Sequence, residues 1–364
     1  AHHQSREDID GDGWADLPGY RRFTLRPRIW WEGTDDRSLF LTGGYTDEDR
    51  YGGTLPGRLL PDGSEFQERL RTRRFDVGAV SRWALADSAA FNARLSYTSN
   101  QLDRTIGDTV TPSTESTAFA EGAWNGEASG HRWVLGLAFV HIQLAVSAVP
   151  GVSYTYNVPA IFAQDEFAPT RWLTLAGSVR ADRQNLYGTF VSPRLSALLR
   201  VPQGEWSLRA SVGGGFAAPT PFVEEIEAVG LGALLPLRNL RAERAVTASL
   251  DAKWADEGWD VNVSLFTSDI RDPLEAVSAP GQRLELVNAP GRRRVPGAEV
   301  LIGYVRGPLH AIASWSYLDA TAGLWYCNVG HGRAEIADAA AAQMRRLAAY
   351  SNFGVYATAP TVEL

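Results

Sequence analysis

The 364-residue chain has one cysteine, Cys327, and one methionine, Met344. A single cysteine excludes an internal disulfide. Lysine is as scarce, with Lys253 alone among 35 basic residues. Nowhere do about 18 apolar residues run together, which excludes a helical membrane span but leaves a membrane β-barrel open. Positive charge is not in excess: the net charge is -7 and the pI about 5.5, so no basic footprint directs the chain to nucleic acid. No basic start followed by an apolar core marks a signal peptide, and with Ala1 in first place the expectation is a fragment or a mature piece. Motifs for chemistry are missing as well. His131 and His141 share one run and His310 stands alone, which is no metal-ligand spacing. No nucleophile elbow is present. Gly213-Gly214-Gly215 is followed by no helix start, so it reads as a strand bend or a close approach and not as a phosphate loop.

What is present is alternation. Trp206, Leu208, Ala210 and Val212 share one face of a run whose other face is Ser207, Arg209, Ser211 and Gly213, and similar runs pass through Val246–Trp254 and Val261–Leu265. Period two is the strand signature, and about ten residues cross a bilayer at a tilt. Phe75, Val77, Ala79 and Trp83 likewise oppose Arg74, Asp76, Gly78 and Arg82. Such runs cover roughly 20–32, 37–47, 69–85, 89–100, 115–126, 131–143, 158–168, 171–183, 190–201, 205–216, 243–254, 258–270, 283–306 and 309–319, about fourteen strands. A chain of this length holds two average domains or one large barrel.

The connections decide between a sandwich and a barrel. Short turns near 33–36, 86–88, 126–130, 169–170, 202–204, 255–257 and 307–308 interleave with longer links at 48–68, 101–114, 144–157, 217–242 and 271–282. Short turns at one end and long loops at the other predict an all-β, antiparallel up-and-down transmembrane β-barrel, partial at this strand count. Tryptophans such as Trp30, Trp31, Trp83, Trp124, Trp206 and Trp259 gather beside the short turns, where an interfacial girdle lies.

Three stretches then carry a resemblance. Gly215-Phe216-Ala217-Ala218-Pro219-Thr220, Asn239-Leu240-Arg241-Ala242-Glu243 and Ser264 through Asp272 are similar, in that order, to segments of TonB-dependent outer-membrane receptors. Phe162 to Phe167, Val191 to Ala197, Val287 to Glu299 and Ser314 to Thr321 extend the likeness over most of 20–321. The resemblance implies residence in the outer membrane of a Gram-negative bacterium, contact with outer-membrane lipid, and uptake of ferric siderophores, cobalamin or a similar large nutrient. It also implies energy coupling through TonB-ExbB-ExbD for the full-length parent. The plug domain and coupling box of that family are not recognisable in this chain. A passive outer-membrane pore is the alternative.

After Thr321 the pattern changes. Gly323 through Arg333, then Glu335-Ile336-Ala337-Asp338-Ala339 and an alanine-rich run, resemble the N-terminal region of class III pyridoxal-phosphate-dependent aminotransferases. Ile336, Ala340, Met344 and Leu347 fit one face of a short C-terminal helical tail. The family's Schiff-base lysine lies downstream of this motif, and Lys253 precedes it, so neither pyridoxal phosphate nor enzyme activity is expected; a non-functional aminotransferase remnant is the third reading. The expected organisation is an acidic outer loop over 1–19, a partial barrel over 20–321 and an aminotransferase-like fragment over 322–364, with a chimeric junction near 320–323.

Three groups are site candidates. Asp8, Asp10, Asp12 and Asp16, with Gly13 at the turn position, match a calcium loop except that Gly19 stands where a bidentate glutamate belongs. Tyr154, Tyr156 and Tyr187 fall on outer loops or their edges, as substrate contacts. Arg292, Arg293 and Arg294 form a patch that would attract an anionic chelate. No other metal or cofactor, and no nucleic acid, is expected.

Overall fold

The computed structural model describes residues 1–34, 36–60, 63–86, 88–202, 204–222, 231–281 and 283–319. The tail expected over 322–364 and the junction near 320–323 lie outside these residues. The strands are β1 His2–Gln4, β2 Gly19–Leu25, β3 Arg28–Glu32, β4 Ser38–Gly53, β5 Gln67–Ala86, β6 Ala89–Ile106, β7 Thr109–Ala128, β8 His131–Val146 and β9 Tyr154–Thr170. They continue as β10 Leu173–Gln184, β11 Gly188–Arg200, β12 Trp206–Ala217, β13 Glu243–Asp256, β14 Trp259–Arg271, β15 Leu274–Ala279, β16 Arg283–Asn288, β17 Arg292–Arg306 and β18 Leu309–Leu318. Sixteen of them form one antiparallel sheet; β15 and β16 form a separate hairpin, so that β14 pairs with β17. Each remaining strand pairs with its chain neighbour, the expected up-and-down topology, except that β2 and β3 both pair with β4. Among the described residues no pairing joins β18 to β1, β2 or β3.

The count exceeds the expected fourteen for local reasons. The run 20–32 is two strands, because Pro27 has no N–H for the ladder and its carbonyl instead accepts the Gly43 N–H at 3.1 Å. The run 283–306 breaks at 289–291, where Gly291 has φ +87°. The expected link 101–114 is mostly strand: β6 and β7 stay paired up to Ile106 opposite Thr109, leaving a two-residue turn with Gly107 at φ +57°. Past Asn100 the band's own face carries polar Gln101, Asp103 and Thr105, while the opposite face mixes Arg104 with Leu102 and Ile106, so the apolar contrast that marks the band is lost there. Residues 1–19, expected as a loop, include β1, whose His2, His3 and Gln4 pair with Arg22, Arg21 and Tyr20.

Register turns alternation into two chemically different faces. Leu41, Ala79, Leu95, Ala120 and Phe139 stand in one row across β4 to β8. The opposite face is polar and bonded within itself: Ser211 and Ser249 hydroxyls meet at 2.8 Å, and the Ser264 hydroxyl donates to Asp251 at 2.7 Å. The apolar face begins at exposed Trp31, Trp83, Trp124 and Trp259 beside the short turns, and ends at Tyr45, Phe75 and Tyr97. From Trp83 to Phe75 is roughly 26 Å along the strand at ~3.3 Å per residue, close to the apolar band of about 25 Å on outer-membrane barrels. Beyond it the same face carries Asp47, Asp49, Arg69, Arg71 and Arg73. Lipid therefore meets the band, and the long strands project past it into water.

Candidate functional site

Connections 5–18, 54–66, 147–153, 218–242 and 272–291 all leave the charged end of the sheet, whereas the opposite end has turns no longer than 33–37 or 201–205. In the connection 218–242, residues 234–237 are fastened down by hydrogen bonds. Leu235 N–H donates to the Leu284 carbonyl at 2.8 Å and Leu237 N–H to the Gly151 carbonyl at 3.1 Å. Arg283 Nη2 reaches the Leu234 carbonyl at 3.0 Å. Around these bonds lies a small buried cluster of Leu144, Val146, Val149, Val152 and Leu234.

Under this loop sits a cavity of about 940 Å³. Arg50, Glu68, Leu70, Leu102 and Arg104, from the projecting ends of β4 to β6, line one side, and Phe222 with the 3₁₀ turn Leu231–Ala233 lines the other. Its rim is braced by carboxylates held between arginines. Glu48 is nearly buried and accepts from both Arg22 and Arg50. Burial works to raise its pKa, but those two guanidiniums outweigh burial and leave it lowered. On the other face Asp49 takes a bidentate pair from Arg69, 2.7 and 2.6 Å, which with Arg21 holds its pKa down. The arrangement is a polar and apolar hollow at the mouth of the sheet, sized for a large ligand.

The three tyrosines do meet. Tyr154 stacks on Tyr156 with centroids 4.3 Å apart, and Tyr156 meets Tyr187 edge-on at 5.9 Å. Tyr156 is 3% exposed, and its hydroxyl donates to the Pro219 carbonyl. The side chain is thus committed to holding Pro219, which leaves Tyr154 and Tyr187 as the more accessible members of the group. Burial raises the pKa of both Tyr156 and Tyr154, the latter to about 12. Because these pKa values are raised, the packing they report is fully present below the ordinary tyrosine pKa of about 10 and is lost as pH rises through the folded values. Tyrosinate absorbance is therefore expected to show at least two tyrosines ionising well above pH 10, with the loop becoming protease-sensitive in the same range.

The acidic loop gathers three of its four aspartates. Carboxylate oxygens of Asp8, Asp10 and Asp16 lie within 4.8 Å of one another. Asp12 is turned away, accepting the Trp14 N–H at 2.8 Å. Asp8 also accepts the N–H groups of Gly11 and Gly13, at 2.7 and 2.9 Å.

The arginine triplet is divided. Alternation along β17 places Arg293 on one face, paired with Glu275 of the hairpin, while Arg292 and Arg294 share the other face with Asp269. A single three-arginine patch facing the cavity is therefore not formed, because consecutive strand residues point apart. The carboxylate–arginine brace at Glu48 and Asp49 was missed from sequence. Its signal is the acidic Asp47-Glu48-Asp49 segment, which registers against arginine-rich 69–74.

Comparison with known proteins accords with this geometry. A family described as TonB dependent receptor-like, beta-barrel, matches residues 9–351, past the expected junction. The siderophore receptor PirA from Pseudomonas aeruginosa superposes with a TM-score of 0.67 at 16% identity, over 82% of this chain and 57% of that one. The hemophore receptor HasR of Serratia marcescens, solved with its hemophore HasA and heme, gives a TM-score of 0.67 at 17% identity, over 83% and 55%. The chain thus spans little more than half the length of these structures. A short stretch of 47 residues, 13% of the chain, is 55% identical to a putrescine–pyruvate aminotransferase of Pseudomonas aeruginosa, of which it covers 10%.

Proposed function

The chain belongs to the TonB-dependent receptor β-barrel family, and on that premise we propose that it is the barrel part of an outer-membrane uptake receptor of a Gram-negative bacterium. Its cargo is a large, scarce nutrient, a ferric siderophore first, with heme or cobalamin as related classes. The observation that carries this reading is the 940 Å³ cavity at the loop end, walled on one side by Phe222 and Leu231–Ala233 and rimmed by paired arginines and carboxylates. Its guanidiniums suit the anionic groups of a metal chelate. Energy coupling through TonB-ExbB-ExbD belongs to the whole receptor of which this barrel is a part.

The test is a tryptophan-fluorescence titration of the detergent-solubilised protein with ferric siderophores, heme and cobalamin. Saturable quenching by one class, weakened by Arg50→Ala with Arg104→Ala, supports the reading. No saturation by any class, together with swelling of liposomes that contain the protein, would replace it with the passive pore.

Two lesser assignments accompany it. Asp8, Asp10 and Asp16 are proposed to take Ca²⁺, which would tie the loop 5–18 to the mouth. Calorimetric titration with Ca²⁺ should show one site that Asp8→Ala abolishes; identical flat traces for both proteins would remove the assignment. The segment 322–364 is proposed to derive from an aminotransferase coding sequence without that enzyme's activity. The chain's only lysine, Lys253, lies on β13 with its Nζ 2.7 Å from Asp260. Single DNA reads across the codons for Tyr317 to Cys327 decide whether the junction is genuine.

A further inference from the structure

Strands β11 and β12 pair only as far as Arg194 opposite Gly213. Pro193, next in line, has no N–H to extend the ladder. Above that point β11 stays with β10 and β12 with β13, and a groove of about 340 Å³ opens between them. Its apolar lining is Val191, Leu195, Val212 and Val246, each 44–64% exposed on the lipid face. Phe190 and Phe216 stack 4.0 Å apart toward its charged end, and the Arg244 guanidinium lies 5.0 Å above the Phe190 ring.

Arg244 and Arg271 line the charged end of this groove, and Arg292 extends their row one strand farther along the sheet. Arg244 stands opposite Arg271, and Arg271 opposite Arg292, on three adjacent strands. All three are exposed. Arg292 lies 3.7 Å from Asp269, while Arg244 and Arg271 have no ion-pair partner among the described residues. Two and three rows below, Ala248, Thr267 and Pro296, then Leu250, Leu265 and Ala298, begin the apolar band. Like charges directly opposite one another repel and destabilise a sheet. Three arginines in this arrangement, at the upper edge of the band on its outer side, stand at the height where an anionic headgroup would offset their repulsion.

We propose that the Arg244–Arg271–Arg292 row and the groove between β11 and β12 bind one phosphorylated glycolipid of the outer leaflet. The phosphate sits on the arginines and an acyl chain lies along Val191, Leu195, Val212 and Val246. The proposal rests on the membrane-barrel reading but not on the nutrient. Arg292, read from sequence as part of a chelate patch, belongs to this lipid site.

The test is native mass spectrometry of the full chain in detergent, titrated with bis-phosphorylated lipid A, dephosphorylated lipid A, or inorganic phosphate. The unaltered protein is expected to hold one phosphorylated lipid and to bind the dephosphorylated form far more weakly. The combined variant R244Q/R271Q/R292Q should lose about a hundredfold in affinity, at several-fold per arginine near a charged surface. Equal binding of both lipids by the unaltered protein overturns the proposal without any variant. Saturation by inorganic phosphate without lipid preference overturns it too. Nutrient quenching, measured on the same samples, separates failure of this site from failure of the uptake reading: loss of quenching with lipid retained touches only the latter.

Discussion

Replacing Leu195 by arginine is expected to destabilise the bilayer-inserted protein by about 2–4 kcal/mol, while arginine at the next residue, Ser196, costs about 1 kcal/mol or less. Leu195 is 64% exposed in the lipid row opposite Val212, near the middle of the band. A guanidinium there must leave water for hydrocarbon with no carboxylate in reach. Ser196 pairs with Ser211 and Ala176 on the polar face, whose neighbours already include charged groups. Urea titration of both variants in lipid vesicles, followed by tryptophan fluorescence, measures the difference. Equal costs at the two positions would show that the faces are assigned wrongly, or that neither meets lipid.

That contrast was readable from the sequence because a bilayer imposes it: within the band every second residue must be apolar. So the runs through Phe75–Trp83 and Trp206–Val212 were placed correctly on their faces, and the tryptophans beside the turns marked one boundary. The other boundary was harder to see. Past Tyr45, Phe75 and Tyr97 both faces meet water, the pattern loses its contrast, and the strand ends at 48–53 and 101–106 read as loop. Those ends are the ones that line the cavity. The site was partly illegible for the same reason that it is polar.

The arginine triplet shows a second limit. Three consecutive charges read as one patch, yet strand geometry sends Arg293 to Glu275 and Arg292 toward Asp269. The row that forms, Arg244 with Arg271 and Arg292, joins residues 27 and 21 apart in sequence through register alone. Only pairing reveals it. The acidic loop was more legible, since its contacts are local: Asp8, Asp10 and Asp16 converge within one turn, and only Asp12 departs.

The Tyr156 side chain holds Pro219, at the start of the connection 218–242, and truncating it is expected to open the mouth. Tyr156→Ala removes a ring that is 3% exposed, its stack on Tyr154, and the donor to Pro219. Losing a buried aromatic costs about 3–5 kcal/mol. The sheet's own ladder does not run through Pro219, so the cost falls on local opening of the loop and not on unfolding of the strands. With opening fast relative to cleavage, proteolysis within 218–242 should accelerate on the order of a hundredfold or more, since it follows the open population. Tyr156→Phe keeps the ring and loses the hydrogen bond, so about 1 kcal/mol and a several-fold change are expected. The cavity's far wall, Phe222 and Leu231, is carried by the same loop, so nutrient quenching should weaken in the order Tyr156→Phe, then Tyr156→Ala. Unchanged cleavage in Tyr156→Ala would mean that the backbone bonds of Leu235 and Leu237 suffice to hold the roof, and that the tyrosine cluster remains free to meet the ligand.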